Sequence, residues 1–185
     1  IDYQEFNMKL AKYAKSNGIK VLFYISPQVW AWREKRLKNI KNYIDEMAVI
    51  FPFENKYYKN LGIKSHYVGH PLATNKDYKK EYSKNKNFIG FFPGSRISEV
   101  KNHLPIISKI IDKIHLKSPK EKFLISRSSN IDKKIYSKYF SGKSYVSVIT
   151  NENIYKTIEL CKIAVAASGT ITLQIALKKI PMCVF

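Results

Sequence analysis

The chain has 185 residues, which is enough for one domain or two small ones with a buried core. Hydrophobic residues make up 45% and charged residues 25%, a balance that excludes wholesale disorder. No run of about 18 apolar residues predicts a membrane-spanning helix. The two cysteines are too few for a disulfide framework, so a reducing compartment is expected.

The charge is strongly basic, with 33 Lys and Arg against 14 Asp and Glu and a net charge of +19. Only four of the basic residues are arginines, and the lysines are scattered rather than interleaved with aromatics. Because arginine forks dominate the readout of bases and phosphates, nucleic acid is the least favoured partner. A compositional bias of the whole sequence explains the lysines best, and a basic face attracted to anionic lipid headgroups is the main alternative.

Helices and strands are predicted to alternate in the first part of the chain. A helical pattern at 7–17 ends at Asn17 and Gly18, and the apolar, β-branched run that follows at 19–25 predicts a buried strand. Such alternation predicts a parallel sheet, because each parallel connection needs a crossover helix. The pattern continues with a basic helix at 34–43, a strand at 47–51, a helix at 54–61 and a strand at 65–68.

A polar, lysine-rich stretch at 72–87 is the best linker candidate, and the alternation restarts after it. The fold class is therefore predicted as α/β, with two doubly wound parallel-sheet units at 1–75 and 88–185 and a linker at 76–87. Both units are expected to be incomplete, because the chain opens on Ile1 rather than Met and closes on Phe185 within an apolar run. The second unit has predicted strands at 88–92, 122–126, 144–149 and 163–166, helices at 99–116, 131–140, 152–160 and 170–178, and a terminal strand.

Two loops between a strand and a helix are candidates for binding a diphosphate, since the amides at a helix start attract anions. The first contains Gly94, Ser95 and Arg96, whose guanidinium would supply a bidentate fork. Each loop alone is also consistent with an ordinary turn and helix cap. The second loop contains Ser168, Gly169 and Thr170, followed one helical turn later by Gln174, which is either a ribose ligand or a solvated helix residue.

Both tryptophans of the chain lie in one segment just after the first predicted strand. Trp30 and Trp32 precede Arg33, and the two rings either fill space between sheet and helix or stack on sugar rings beside an arginine that binds phosphate. The lone histidines His70 and His103 are expected to be structural rather than catalytic. No cluster of carboxylates has the spacing of metal ligands, so neither a metal nor a cofactor is expected.

In combination, these segments resemble the bacterial lipid-A-disaccharide synthases. Residues 25–33 (ISPQVWAWR) are similar to the tryptophan signature of that family, and the resemblance extends over the whole chain in the same order. The opening Ile1 and Asp2, with Phe6 and Asn7, are similar to its I-D-x-P-D-F-N segment. Other matching blocks are 51–54 (FPFE), 68–71 (VGHP), 93–96 (PGSR) with Glu99 and Val100, and 167–170 (ASGT).

The resemblance implies a glycosyltransferase of the GT-B type, with an acceptor-side domain at 1–75 and a nucleotide-sugar-binding domain at 88–185. It implies transfer of 2,3-diacylglucosamine from UDP to 2,3-diacylglucosamine 1-phosphate (lipid X), giving lipid A disaccharide 1-phosphate and UDP at the cytoplasmic face of the inner membrane of a Gram-negative bacterium. Arg96 falls on the family's essential arginine, residues 168–170 on its nucleotide-contacting segment, and Asp2 on an acidic residue important for catalysis. The resemblance makes no prediction about the oligomeric state.

The sequence departs from the family pattern at three points. Gln174 stands where Glu is usual, Glu5 replaces an Asp, and Tyr3 with Gln4 lacks the usual proline. The glycine-rich loop of the family would lie before Ile1, and the rest of the donor domain after Phe185. Two other functions stay open: another UDP-sugar enzyme of the GT-B type that acts in envelope synthesis, and a basic nucleic-acid-binding domain.

Overall fold

A computed structural model describes residues 3–27, 37–74, 79, 81 and 85–185 of the chain. The chain divides into two compact units, Ile1–Thr74 and Asn75–Phe185. The predicted α/β class is confirmed, because both units contain parallel sheets with intervening helices.

The first unit contains a three-stranded parallel sheet in the order β1-β2-β3. Its core consists of buried side chains from the strands and from the helices packed on them, including Phe23, Met47, Val49 and Tyr58. Its elements are α1 (Gln4–Ser16), β1 (Leu22–Tyr24), α2 (Leu37–Tyr43), β2 (Glu46–Val49), α3 (Pro52–Asn60), β3 (Ser65–Tyr67) and α4 (Pro71–Thr74).

Strand β1 is shorter than the predicted run at 19–25. Only Leu22, Phe23 and Tyr24 pair with β2, and just Phe23 of these three is buried. The preceding Val21 donates its amide to the side chain of Asp45 at 2.8 Å, while its carbonyl accepts the amide of Glu46, the first residue of β2, at 3.2 Å. The apolar run was therefore a correct sign of a strand but overestimated its length, because hydrophobicity alone does not show which residues find a pairing partner.

The second unit contains a five-stranded parallel sheet in the order β6-β5-β4-β7-β8. The chain therefore passes from β4 through β5 to β6 on one side, and then returns to place β7 on the other side of β4. Its elements are β4 (Phe88–Phe92), α5 (Ile97–Lys117), β5 (Lys122–Arg127), α6 (Lys133–Phe140), β6 (Val146–Thr150), α7 (Ile154–Glu159), β7 (Cys161–Ala166), α8 (Thr170–Leu177) and β8 (Met182–Val184).

Two hydrophobic clusters cover the opposite faces of this sheet. Because successive strand residues point to opposite faces, Phe91 belongs to the cluster under α5 and α6, whereas Phe92 belongs to the one under α7 and α8. Burial on both faces explains why strands such as β5 read as continuous apolar runs.

The centre of the sheet has one very close approach between neighbouring strands. Gly90 of β4 lies beside Cys161 of β7, and a side chain at Gly90 would collide with the Cys161 sulfur. Cys161 is fully buried, and this burial raises the pKa of its thiol to about 12. Glycine at position 90, in the middle of β4, thus leaves room for the Cys161 side chain and lets β4 and β7 pair closely.

Candidate functional site

A cavity of about 420 Å³ lies at the carboxyl ends of the strands of the second unit. Its volume is within the range of small-ligand sites. Residues that follow β4, β5, β6 and β7 all contribute to it, and it lies where the strand order reverses around β4. In open α/β sheets, ligands bind at this kind of switch point, because the adjacent loops diverge and leave a crevice.

The loop after β4 brings Gly94, Ser95 and Arg96 to the cavity, at the start of α5. Arg96 Nη1 donates to Glu99 Oε1 at 2.9 Å, while four-fifths of the Arg96 side chain is exposed. The other carboxylate oxygen of Glu99 accepts from the Arg96 amide at 3.4 Å. Glu99 therefore caps the helix and also holds the guanidinium at the cavity.

The carboxyl group of Glu99 is an acid that stays ionised. Its partial burial favours the neutral form, but hydrogen bonds from the Arg96 side chain and amide outweigh this effect and lower its pKa. Gly94 has φ +104°, and a side chain there would collide with Glu99. Gly94 is thus required both by the backbone turn and by the space that Glu99 occupies.

The loop after β7 brings the second predicted set to the same cavity, since Ser168, Gly169, Thr170 and Gln174 all line it. The two loops are joined directly beyond the strands, where the amide of Ala167 donates to the carbonyl of Phe92 at 3.0 Å.

The amides of this second loop are not equivalent. The Ser168 amide donates to the Phe185 carbonyl at 3.0 Å, so it is already used within the fold. The amides of Gly169 and Thr170 lie at the start of α8, where an α-helix supplies no intrahelical acceptor. The sequence predicted hydrogen-bond donors for an anion near 168–170. The structure leaves four candidates for that role, namely these two amides and the hydroxyls of Ser168 and Thr170.

The two histidines that were expected to be structural both have partners within the fold. His103 Nδ1 lies 2.8 Å from the Pro93 carbonyl, and because a carbonyl only accepts, this nitrogen carries the proton. The His103 ring also packs edge-on against Phe185 with centroids 4.9 Å apart. His70 Nδ1 accepts the amide of Leu72 at 3.1 Å, which leaves that nitrogen unprotonated.

The cavity lining also includes residues that were not predicted from the sequence, among them Ser126, Ser128, Asn151 and Ile154. Ser126 and Ser128 lie at the end of β5, and Asn151 follows β6. The alternation of Ser126 and Ser128 around Arg127 is a weak signal that both serines lie on one side of the strand. Asn151 is a polar residue that follows a strand. Such residues are common in loops, so its sequence position did not mark it as a site residue.

Four predicted site residues, Asp2, Trp30, Trp32 and Arg33, lie outside the described residues. The described part of the chain contains no group of three or more His, Cys, Asp or Glu side chains that could hold a metal ion. Within the same residues, no helix is both long enough and apolar enough to cross a membrane.

The model of the family described as "Lipid-A-disaccharide synthetase" matches residues 1–185. The chain belongs to this family. Its relatives include lipid-A-disaccharide synthase 1 of Legionella pneumophila strain Paris, 37% identical over 194 residues. The enzyme of Nitrosococcus oceani is 37% identical over 195 residues, and that of Geobacter metallireducens 36% over 193. In each pair the match covers 100% of this chain and 50% of the relative, so the chain spans about half the length of these synthases.

The fold is also similar to that of a solved glycosyltransferase. The pneumococcal O-GlcNAc transferase GtfA, crystallised in complex with UDP and GlcNAc, matches with a TM-score of 0.59 and 13% identity, over 95% of this chain and 39% of that one. This likeness confirms the expected GT-B type of fold. Membership of the lipid-A-disaccharide synthetase family is evidence against both alternatives, the other envelope glycosyltransferase and the nucleic-acid-binding domain.

Proposed function

We propose that the protein is a lipid-A-disaccharide synthase, which transfers 2,3-diacylglucosamine from its UDP derivative to lipid X and releases UDP. The observation that carries this proposal is the convergence of two loops suited to anion binding on one cavity, in a chain that matches the family model over residues 1–185. Arg96 is at the first loop and the start of α8 is at the second, which is a suitable arrangement for a diphosphate.

The main electrostatic demand of the reaction is the negative charge that develops on departing UDP. The acceptor 6′-hydroxyl oxygen forms a bond to the anomeric carbon of the donor while the bond from that carbon to the β-phosphate oxygen breaks, with inversion and through an oxocarbenium-like transition state. Arg96 and the amides of Gly169 and Thr170 would stabilise the phosphate oxygens that gain charge. No metal or cofactor is part of this proposal.

The proposed roles on the acceptor side fall to residues outside the described ranges. Asp2 would take the proton of the attacking hydroxyl or orient that hydroxyl. Trp30 and Trp32 would pack on sugar rings, and Arg33 would pair with the 1-phosphate of lipid X. In the donor site, the Gln174 amide would hydrogen-bond a ribose hydroxyl without the charge of the usual Glu.

The acylated substrates imply work at a membrane surface, which we propose is the cytoplasmic face of the inner membrane. The net charge of +19 supports attraction to anionic lipids. The basic residues at 34–43 would take part, and screening by salt should then weaken the association. Binding to anionic vesicles that is unchanged between low and high salt would contradict this electrostatic contribution.

The decisive experiment is turnover by the full-length protein that carries these residues. The wild-type protein is expected to convert the diacylated UDP sugar and lipid X to the disaccharide and to leave UDP-GlcNAc unused. The activity of the Arg96→Ala variant is expected to be at least about a hundredfold lower than that of the wild type. Lys101→Ala, which changes an exposed residue of the same helix α5, is the matched control. Near-normal turnover by Arg96→Ala would refute the role of Arg96, and transfer from UDP-GlcNAc alone would refute the function.

A further inference from the structure

A polar pair in the cavity has hydrogen-bonding capacity that the fold does not use. The side-chain NH₂ group of Asn151 donates to the hydroxyl of Ser126, which is 5% exposed. The side-chain oxygen of Asn151 is buried and has no hydrogen-bond partner among the described residues. Because buried polar atoms are nearly always paired, this oxygen is a candidate acceptor for a ligand that enters the cavity.

The pair offers an acceptor and a donor next to each other. The Ser126 hydroxyl accepts from Asn151, so its own proton stays available for donation, while the Asn151 oxygen can accept. A ligand that matches this pair must therefore present an N–H group next to a carbonyl oxygen along one edge. The imide edge of uracil, with N3–H between two carbonyls, has this pattern.

The position of the pair also fits a neutral group that is attached to a diphosphate. Asn151 follows β6, which is two strands from β4 and the Arg96 loop in the order β6-β5-β4, a separation of about 10 Å. The cavity residues at the ends of β5 and β6 are uncharged, and Ile154 adds an apolar surface. This end of the cavity therefore suits a flat, neutral ring better than a phosphate.

Arg127 holds the two strand ends that carry the pair. Its guanidinium donates to the Thr150 hydroxyl at 2.6 Å and to the Ile131 carbonyl at 2.6 Å. The Arg127 carbonyl in turn accepts the Asn151 amide at 2.9 Å. Asn151 and Ser126 are thus fixed relative to each other before any ligand binds, which favours selective recognition.

We propose that Asn151, with Ser126, determines nucleobase specificity by binding the imide edge of uracil. This inference rests on the proposed function, in which the cavity holds UDP. The Asn151 oxygen accepts the N3–H, and the Ser126 hydroxyl donates to a neighbouring carbonyl of the base. The opposite orientation of the Asn151 side-chain amide would present its NH₂ group to the base and would select cytosine instead. The preference for uracil or cytosine nucleotides therefore shows which orientation the side chain has.

The test is calorimetric titration of the full-length protein with UDP, CDP and N3-methyl-UDP, whose methyl group removes the donor. We expect wild type to bind UDP about tenfold more tightly than either analogue. In Asn151→Ala, UDP affinity should fall about tenfold and the difference between UDP and N3-methyl-UDP should disappear. Asn102→Ala makes the same chemical change on the exposed side of α5 and should behave as wild type.

Each unexpected result has a distinct meaning. Equal UDP affinity in Asn151→Ala and Asn102→Ala would overturn the inference and leave the proposed function intact. Binding of CDP as tight as that of UDP by wild type would also overturn it. Failure of wild type to bind UDP would overturn the proposed donor site and the inference together. Circular dichroism of each variant distinguishes lost binding from lost folding.

Discussion

Inside the first unit, the Ser26 hydroxyl donates a hydrogen bond of 2.7 Å to the carboxylate of Glu54, although 28 residues separate them. Glu54 is 1% exposed, and its second oxygen accepts the Phe51 amide at 3.1 Å. The neighbouring Tyr58 hydroxyl donates to the Pro27 carbonyl at 2.8 Å. Two residues of α3 therefore anchor the chain immediately before the tryptophan segment.

Replacing Glu54 should destabilise the first unit more than most single substitutions do. Glu54→Ala leaves the Ser26 hydroxyl and the Phe51 amide without their acceptor, so we expect a loss of about 3 kcal/mol in the free energy of unfolding. Glu54→Gln keeps one oxygen and should cost about half as much. Urea denaturation measures both, with the exposed Glu152→Gln as the control. Equal stability of Glu54→Ala and the control would contradict the role of this buried carboxylate.

Gly94→Ala should weaken nucleotide binding without unfolding the protein. A methyl group at φ +104° is strained and also meets the Glu99 carboxylate, which must move and release the Arg96 guanidinium. We expect UDP affinity to fall at least tenfold, with about 1 kcal/mol lost in stability. Titration with UDP and thermal melting measure the two effects.

Gly142→Ala is the matched control for that substitution. Gly142 also has a positive φ, +80°, but nothing lies within 4 Å of the added methyl group. It should therefore lose a similar amount of stability and keep its affinity for UDP. If the two variants bind UDP equally well, the space that Glu99 occupies beside Gly94 has no part in UDP binding.

Asp112 should contribute to the loss of stability at low pH. A hydrogen bond from Lys143, assisted by one from the Tyr145 hydroxyl at 3.1 Å, lowers the pKa of Asp112 below its ordinary value. Its stabilising contribution is therefore present above the pKa of the unfolded chain and is lost as the pH falls through the folded one. Asp112→Asn should make the slope of stability against pH shallower below about pH 4.

The slope can be measured by urea denaturation at a series of pH values. Lys143→Met removes the main partner of Asp112 and should flatten the same acidic limb, whereas Lys133→Met, on the exposed start of α6, should not. An unchanged slope in Asp112→Asn would show that other carboxylates dominate the acid transition.

The two cysteines should differ sharply in reactivity. Cys161 is fully buried and its pKa is raised to about 12, so both reagent access and thiolate formation are suppressed, whereas Cys183 is exposed. A thiol reagent should modify Cys183 but not Cys161 in the native protein, and both in urea, and Cys161 should stay unmodified in native Cys183→Ser. Rapid modification of native Cys183→Ser would show that the pairing of β4 with β7 opens readily.

The sequence was sufficient to predict the α/β class and two of the loops that form the cavity, those after β4 and β7. Glycine and serine directly after apolar, β-branched strands mark turns, and the helix that follows fixes where the loop ends. Strand order was not predicted, because hydrophobic patterning does not show that β7 returns to the far side of β4. The convergence of the Arg96 loop and the Gly169 loop on one crevice depends on that return.

Individual polar side chains were harder to predict than loops. Glu54 is a charged residue in the first turn of a helix, a position that is usually solvated, and its bond to Ser26, 28 residues away, has no signal in the local sequence. Asn151 and Ser126 meet across neighbouring strands after a long crossover, so no local spacing relates them. Arg127 is bound within the fold, although its residue type alone made it as eligible for a phosphate as Arg96.

The cavity is assembled from segments that extend from Phe92 to Gln174, almost the whole of the sheet's own sequence. The complete cavity requires all four strands from β4 to β7, so ligand binding and folding of the second unit are thermodynamically linked. A nucleotide at a hundred times its dissociation constant would stabilise the entire unit by about 2.7 kcal/mol. The supply of the nucleotide substrate would then change the fraction of the protein that is folded as well as its rate of turnover.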